Sequence, residues 1–291
     1  MSPNAASRSL MSVLIPLVAA CGGDDPSGGV GDAEFTTWGE AYIEQGIGPD
    51  STGEAGFVDG WTVKFEKFLV NFGEITVRDA SGAVAGAQAG TALVDNVRPG
   101  RKSLFRITGL EAKAYPQVSY ALVPVTPTTR PVAATDADRD EMAARGWSIW
   151  VTGAATKGGE TKRFSWGFAT NTALTECKAV EDGREQLGIV VRPGQTDTSE
   201  LTTHGDHFFY DRLQASPDPA VATRLRFDAI AAADADGDGD VTLEELRAAT
   251  LSVPTYNPSP FAVTHLGDFI TSLSRSVGHY RGEGECVVGA R

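Results

Sequence analysis

The chain has 291 residues, with Lys+Arg 25 against Asp+Glu 38 and a formal net charge of −13 at pH 7. That balance repels nucleic acid and anionic lipid surfaces, so neither is expected as a partner, whereas a cation is. With 41% hydrophobic and 22% charged residues the composition is that of a globular chain, which excludes a disordered or fibrous protein.

The N-terminus carries one positive charge, Arg8, followed by the apolar run Leu10–Ala20. The run is too short to cross a bilayer and reads as the core of a secretion signal. Leu17-Val18-Ala19-Ala20-Cys21 resembles the lipobox of bacterial lipoproteins. The resemblance implies that residues 1–20 are removed, that Cys21 is lipidated, and that the protein sits on the cell envelope. With Gly22 after the Cys it implies no inner-membrane retention, hence the outer membrane. The alternative is an ordinary signal peptide with an incidental Cys. Residues 21–34 are Gly-rich and polar and suit a flexible tether.

From Phe35 to Leu213 the pattern predicts strands. Trp61–Phe72 alternates apolar and polar, but the apolar parity slips between Phe65 and Phe68, which predicts a β-bulge. Glu74–Arg78, Ser103–Thr108, Gln117–Val125, Trp147–Thr152, Thr161–Thr170, Leu187–Val191 and Thr198–Thr203 follow, rich in β-branched and aromatic residues and divided by turn residues such as Asp79–Gly82. Their number and spacing predict a mainly β fold, an antiparallel sandwich over residues 35–213. One helix is expected at Asp138–Arg145, capped by Thr135 or Asp136 and stopped by Gly146. Trp147, Trp150 and Trp166 read as sandwich core rather than ligand site.

Residues 214–291 change character. Pro217 and Pro219 open a predicted helix over Ala220–Ala233, Leu243–Thr250 gives a second, and Phe261–Tyr280 a third. Phe269, Leu273 and Val277 recur every fourth residue on one face of that third helix. This part reads as a helical tail. Of Cys21, Cys177 and Cys286, the last two form an even pair in an oxidising compartment, so a Cys177–Cys286 disulfide is expected, against the alternative of two buried thiols.

Within the tail, Asp234-Ala-Asp236-Gly-Asp238-Gly239-Asp240-Val241-Thr242-Leu-Glu244-Glu245 resembles the EF-hand family across its loop. The resemblance implies a Ca2+ site. Asp234, Asp236 and Asp238 would supply carboxylates, Asp240 its carbonyl, Thr242 a hydroxyl or bridging water, and Glu245 both oxygens. Gly239 would make the sharp turn, and Val241 would pair with a sister loop through a short strand. No sister loop is found: Asp136-x-Asp138-x-Asp140 imitates the opening positions, but Glu141 and Trp147 stand where Gly and Glu are required. A lone loop reads as a structural staple, with calcium ordering the tail, rather than as a sensor.

His204-Gly205-Asp206-His207 is a second metal candidate, since imidazole and carboxylate at this spacing suit Zn or Cu given a further ligand. The alternative is a polar turn closing the last strand. His265 and His279 would share a helix face about 21 Å apart, beyond the reach of one ion. The strand order and late His residues are similar to periplasmic copper-binding sandwiches of the MbnP type, with no residue pattern that carries sites across. Nucleophile elbow, P-loop and dinucleotide fingerprints are absent from the sequence. The leading expectation is therefore a non-enzymatic, calcium-binding envelope lipoprotein. The alternative is a Zn/Cu-binding or metalloenzyme module built on His204, Asp206 and His207.

Overall fold

The slip in apolar parity at Phe65–Phe68 is a bulge in the longest strand of the fold. In the computed structural model, which describes residues 28–50, 56–181, 183–218 and 221–291, the pairing steps from Phe65 opposite Gly153 to Lys67 opposite Thr152, leaving Glu66 extra. The bulge turns Val63 and Phe65 inward on one side and Phe68, Val70 and Phe72 inward on the other, and all five are buried.

In chain order the elements are β1 (Val30–Thr37), α1 (Ala41–Glu44), β2 (Thr62–Arg78), β3 (Val84–Asp95), β4 (Lys102–Glu111), β5 (Ala114–Tyr115), β6 (Gln117–Leu122) and β7 (Arg130–Val132). Next come α2 (Asp136–Arg145), β8 (Ile149–Lys157), β9 (Glu160–Phe168), β10 (Thr172–Glu181), β11 (Arg184–Leu187), β12 (Ile189–Val190) and β13 (Thr196–Thr203). The C-terminal part adds α3 (Asp228–Ala231), β14 (Asp240–Thr242), α4 (Leu243–Ala248), α5 (Leu266–Leu273), β15 (Gly278–Tyr280) and β16 (Glu285–Ala290).

The protein is mainly β, a sandwich of two large sheets with β5 and β12 paired as a separate two-stranded ribbon. The smaller runs β15-β13-β1-β4; the larger runs β11-β10-β6-β2-β8-β9-β14, with β16 on β10, β3 on β2 and β7 on β3. Side chains from both, among them Phe35, Phe105 and Leu201 from one and Phe68, Phe72 and Trp166 from the other, share one core. The sheets are mixed rather than purely antiparallel, because β1–β13, β3–β7 and β9–β14 pair in parallel. Such pairs join segments far apart in sequence, which local alternation does not encode.

α2 forms as its sequence predicts. Thr135 caps it in a reciprocal capping box with Asp138, and Gly146 ends it at φ 67°. It covers the outer face of β2 through Met142, which packs with Leu69, Leu93 and Val125. Trp166 is core, but Trp147 and Trp150 lie half-buried beside this second cluster, with Arg145 and Lys67 over their rings.

Three expectations need correction. The expected tether ends early: β1 begins at Val30 and pairs with both β4 and β13. Cys21 lies outside the described residues. The helix expected over Ala220–Ala233 contracts to α3, because the backbone from Arg224 to Arg226 bonds across the chain instead: Asp211 N–H to Arg224 O, Val58 N–H to Leu225 O, and Arg226 N–H to Phe209 O. The helix expected over Phe261–Tyr280 runs only from Leu266 to Leu273. Ser274 and Ser276 hydroxyls bond back to the carbonyls of Thr271 and Leu273, the backbone tightens into a 3-10 turn, and β15 follows. The C-terminal part thus adds strands to both sheets.

The Cys177–Cys286 disulfide is present, across a sequence separation of 109, and joins β10 to β16. By loss of loop-closure entropy in the unfolded chain it is worth on the order of 4–5 kcal/mol. The double replacement Cys177→Ser/Cys286→Ser is expected to lower unfolding free energy by about 2–5 kcal/mol, read from urea midpoints.

Candidate metal centres

Leu201 to Phe209 are buried without interruption, although Thr202, Thr203, His204, Asp206 and His207 are polar. The segment is carried inward by its apolar end. Phe208 stacks on Phe168 at 5.3 Å, and Phe209 meets Phe57 at 5.2 Å within a cluster that includes Phe65, Phe164, Trp166 and Phe227. Between the two His residues the chain must turn tightly against the core. A Cβ on Gly205 would sit 2.8 Å from Ile43 and 2.9 Å from Phe65, so no larger residue fits there without displacement.

β13 ends at Thr203, and the 3-10 turn Asp206–Phe209 follows. β15 lies beside β13 with His279 opposite Thr202, fixed by the Tyr120 hydroxyl donating to the His279 carbonyl at 2.8 Å. The result is a cluster of three imidazoles: ring centroids are 4.1 Å apart for His204–His279, 5.0 Å for His207–His279 and 5.2 Å for His204–His207. His204, Asp206 and His207 each offer one ligand atom within 4.8 Å of the others. His279, expected on a helix remote from any ion held by His204, is instead the third ring of this cluster. His265 stays apart, at the N-terminal boundary of α5 without a side-chain bond to the helix and bonded through Nδ1 to the Thr264 hydroxyl.

The polar atoms are only partly satisfied. His207 Nδ1 bonds Ser276 Oγ at 3.0 Å, which leaves Nε2 free. Asp206 Oδ2 accepts from the Tyr210 hydroxyl at 2.9 Å, while its Oδ1 and His279 Nδ1 are buried without a hydrogen-bond partner. Burial, reinforced by His204, pushes His207 down to about 3, and burial with both neighbouring imidazoles pushes His279 down to about 3. Both are therefore neutral at pH 7, the form that ligates a metal. Burial also holds Asp206 above the ordinary carboxylate range, and burial with Glu283, Asp206 and Glu200 raises Glu40 to about 8. Glu40 reaches the cluster from the end of β1, the neighbour of β13 in the smaller sheet, its Oε2 3.3 Å from His204 Nδ1.

The acidic loop forms a separate site on the surface. Asp234, Asp236 and Glu245 carboxylates converge within 4.8 Å; Asp238 and Thr242 are not part of that convergent group. Asp238 Oδ1 accepts from Asp240 N–H at 2.7 Å, and Thr242 Oγ1 caps α4 by accepting from Glu245 N–H at 3.2 Å. Asp240 turns its side chain outward to Arg163 at 2.8 Å, and Gly239 adopts φ 87°. Lys162 from β9 lies 2.7 Å from Asp234, and this hydrogen-bonded ion pair holds the Asp234 carboxyl below and the Lys162 ammonium above their usual values. Val241 does find a strand partner: β14 pairs in parallel with β9, Val241 opposite Phe164, and the Trp166 indole donates to Val241 O at 2.9 Å. The sandwich edge stands where a sister loop would be.

No protein-family model matches this chain, and no curated protein does. Among solved structures, MbnP from Methylosinus trichosporium aligns over 90% of this chain and 98% of its own, at 13% identity and a TM-score of 0.32. That likeness is too loose to carry a site across.

The buried imidazoles set an acid limit on stability. Unfolded His titrates near 6.5, whereas folded His207 and His279 do so near 3, so their contribution is complete above about pH 6.5 and is lost as pH falls toward 3. Glu40, raised from 4.5 to about 8, has the opposite sign: its contribution is complete below about 4.5 and is lost as pH rises through 8. In chelator-treated protein, His279→Gln is expected to remove one proton from the acid limb. Between pH 6 and 4.5 its urea-derived stability should fall less steeply than wild type by about 1.4 kcal/mol per pH unit. Parallel slopes would contradict this.

Proposed function

We propose that the protein binds a transition-metal ion, zinc or copper, through His204 and His207, with Asp206 as the oxygen donor and His279 beside them. The observation that carries this reading is the burial of three closely packed imidazoles beside two polar atoms, Asp206 Oδ1 and His279 Nδ1, that have no hydrogen-bond partner. Each such atom costs about 1–3 kcal/mol if left unsatisfied, and a cation held by the convergent atoms of His204, Asp206 and His207 would serve the Asp206 carboxylate, with the His279 ring packed beside that group rather than in it. Imidazole nitrogens with one carboxylate suit zinc and copper better than calcium or magnesium. The Ser276 hydroxyl on His207 Nδ1 orients that ring as an outer-shell partner orients a ligand.

A second reading applies to the surface loop. We propose that Asp234, Asp236 and Glu245, joined by Asp238, the Asp240 carbonyl and Thr242 once the loop closes, hold Ca2+. The convergence of hard carboxylate oxygens on a loop of EF-hand sequence supports it. Through β14 such an ion would secure the edge of the larger sheet, a staple rather than a switch. The lipobox-like segment and the Cys177–Cys286 disulfide support export to an oxidising envelope compartment with a lipid on Cys21.

The two sites separate by titration of chelator-stripped protein. His207→Ala and His279→Ala are each expected to weaken zinc binding at least tenfold, read by competition with a chromophoric chelator, while leaving calcium binding unchanged. Glu245→Gln is expected to weaken calcium binding at least tenfold, read by calorimetry, while leaving zinc unchanged. Zinc and copper binding that is indifferent to both His substitutions would overturn the first reading.

A further inference from the structure

Beside the imidazole cluster lies a second convergent group. Glu40, His204 and Glu283 each place one ligand atom within 4.8 Å of the others, so His204 belongs to both this group and the one with Asp206 and His207. The members are graded from solvent to core: Glu283 is exposed, Glu40 half-buried and His204 buried. His204 Nδ1 faces outward to Glu40 Oε2 at 3.3 Å and inward to Asp206 Oδ1 at 4.0 Å. Asp206 is 8% exposed, and this Oδ1 is the buried oxygen without a partner.

The backbone holds the outer carboxylates in place. Glu283 sits in the turn between β15 and β16, where Arg281 and Gly282 adopt φ 49° and 75°. Gly282 N–H donates to Thr202 Oγ1 at 2.8 Å and Tyr280 N–H to Gly284 O at 2.8 Å, which ties the turn to β13 and closes it on itself. Glu40 is placed by Gly39, which bridges to Thr203 and lies so close to Asn96 that a Cβ would come within 2.0 Å of its carbonyl oxygen.

We propose that Glu283 and Glu40 form a loading port, an outer station that takes a divalent transition-metal cation from solvent and passes it, by way of His204, to the buried imidazole site. The proposal rests on the transition-metal reading above. Carboxylates at the mouth attract an aquated cation and can bind it while it is still partly hydrated; imidazoles hold it more firmly once water is shed. Because His204 is common to both groups, an ion seated inside takes the outer group's only nitrogen ligand. The outer station then keeps two carboxylates, one of them exposed, and holds a second ion weakly. Shared ligation therefore makes the outer group a step on the way in rather than a resting site. No bond other than metal–ligand coordination changes, and water leaves the ion as protein ligands arrive.

The test is stopped-flow loading of the chelator-stripped full chain with zinc chloride, and release into excess chelator, for wild type, Glu283→Gln and Glu285→Gln. Glu285 is an exposed carboxylate two residues along and outside the ligand group, so it controls for charge alone. Glu283→Gln is expected to slow loading about tenfold and release by a similar factor, within the range that local charge confers on association rates. Glu285→Gln is expected to load as wild type does. Unchanged loading in Glu283→Gln overturns the port, as does equal slowing in Glu285→Gln. Faster release at unchanged loading also overturns it, since that outcome makes Glu283 a ligand of the resting ion. Wild-type protein that takes up neither zinc nor, in a parallel titration, copper overturns the transition-metal reading itself, a result distinct from zinc uptake that is indifferent to Glu283.

Discussion

Phe208 and Phe209 pull a polar segment to a depth that it would not otherwise reach. Both rings are lodged in the aromatic core, and burying each is worth about 1.5–3 kcal/mol. The residues just before them, His204 to His207, follow because the 3-10 turn is short and Gly205 lets it lie against Ile43 and Phe65. Much of the polar cost is met by ordinary means: Asn96 donates to Thr203, Thr37 to the Leu201 carbonyl, and Tyr210 to Asp206. The exceptions fall together, Asp206 Oδ1 and His279 Nδ1 beside the shared imidazoles. Other buried side-chain atoms also lack a partner, Asn71 Oδ1 and Thr172 Oγ1 among them, but these two lie beside clustered imidazoles, where an unmet polar atom points to a ligand.

The same dependence explains the C-terminal part. Residues after Leu213 supply β14 to β9, β15 to β13 and β16 to β10, so one stretch of chain clasps both sheets. Each addition covers an otherwise open strand edge. β15 brings His279 to the cluster, β14 docks the acidic loop, and β16 carries Cys286 to Cys177. The lone EF-hand-like loop is not short of a partner in this arrangement. Phe164 and Trp166 of β9 meet Val241 from the sandwich side, a contact that needs no second loop.

What could be read from the sequence was local. The bulge followed from apolar parity around Glu66, α2 from the candidate caps Thr135 and Asp136 and the stop at Gly146, and the disulfide from counting thiols on the expectation of export. The His204-Gly205-Asp206-His207 motif was also visible, as was a buried face at Phe269, Leu273 and Val277, all of which are buried. That periodicity misplaced His279. Val277 keeps the helical phase just after the helix has given way to a 3-10 turn, so the spacing gave no sign of the break. The signal that could have found it was the Ser274-Arg275-Ser276 run ahead of Gly278, since serine hydroxyls compete for helical carbonyls and Gly278 lies 3.0 Å from Tyr120 and Leu174 at its Cβ position. Glu40 and Glu283 carry no motif at all. They are separated from His204 along the chain and meet it only through parallel pairing of β1 with β13 and the turn after β15.

The two candidate centres differ in the property that sorts cations. The surface loop offers oxygens on an exposed turn, and an ion there can be served by water as well as by protein. The inner cluster offers imidazole nitrogens at buried positions, so an ion bound there would give up much of its hydration to ligands that favour softer metals. Were both sites filled as proposed, exchange between them would be unfavourable in both directions, because calcium gains little from imidazole and zinc or copper gains little from carboxylates alone. A strongly acidic chain attracts every cation alike at long range, so the discrimination has to be made at close quarters. On the proposed reading, depth of burial and the identity of the ligand atom would make it together, since the nitrogen group is buried behind Glu40 and the exposed Glu283 and the oxygen loop lies on the surface.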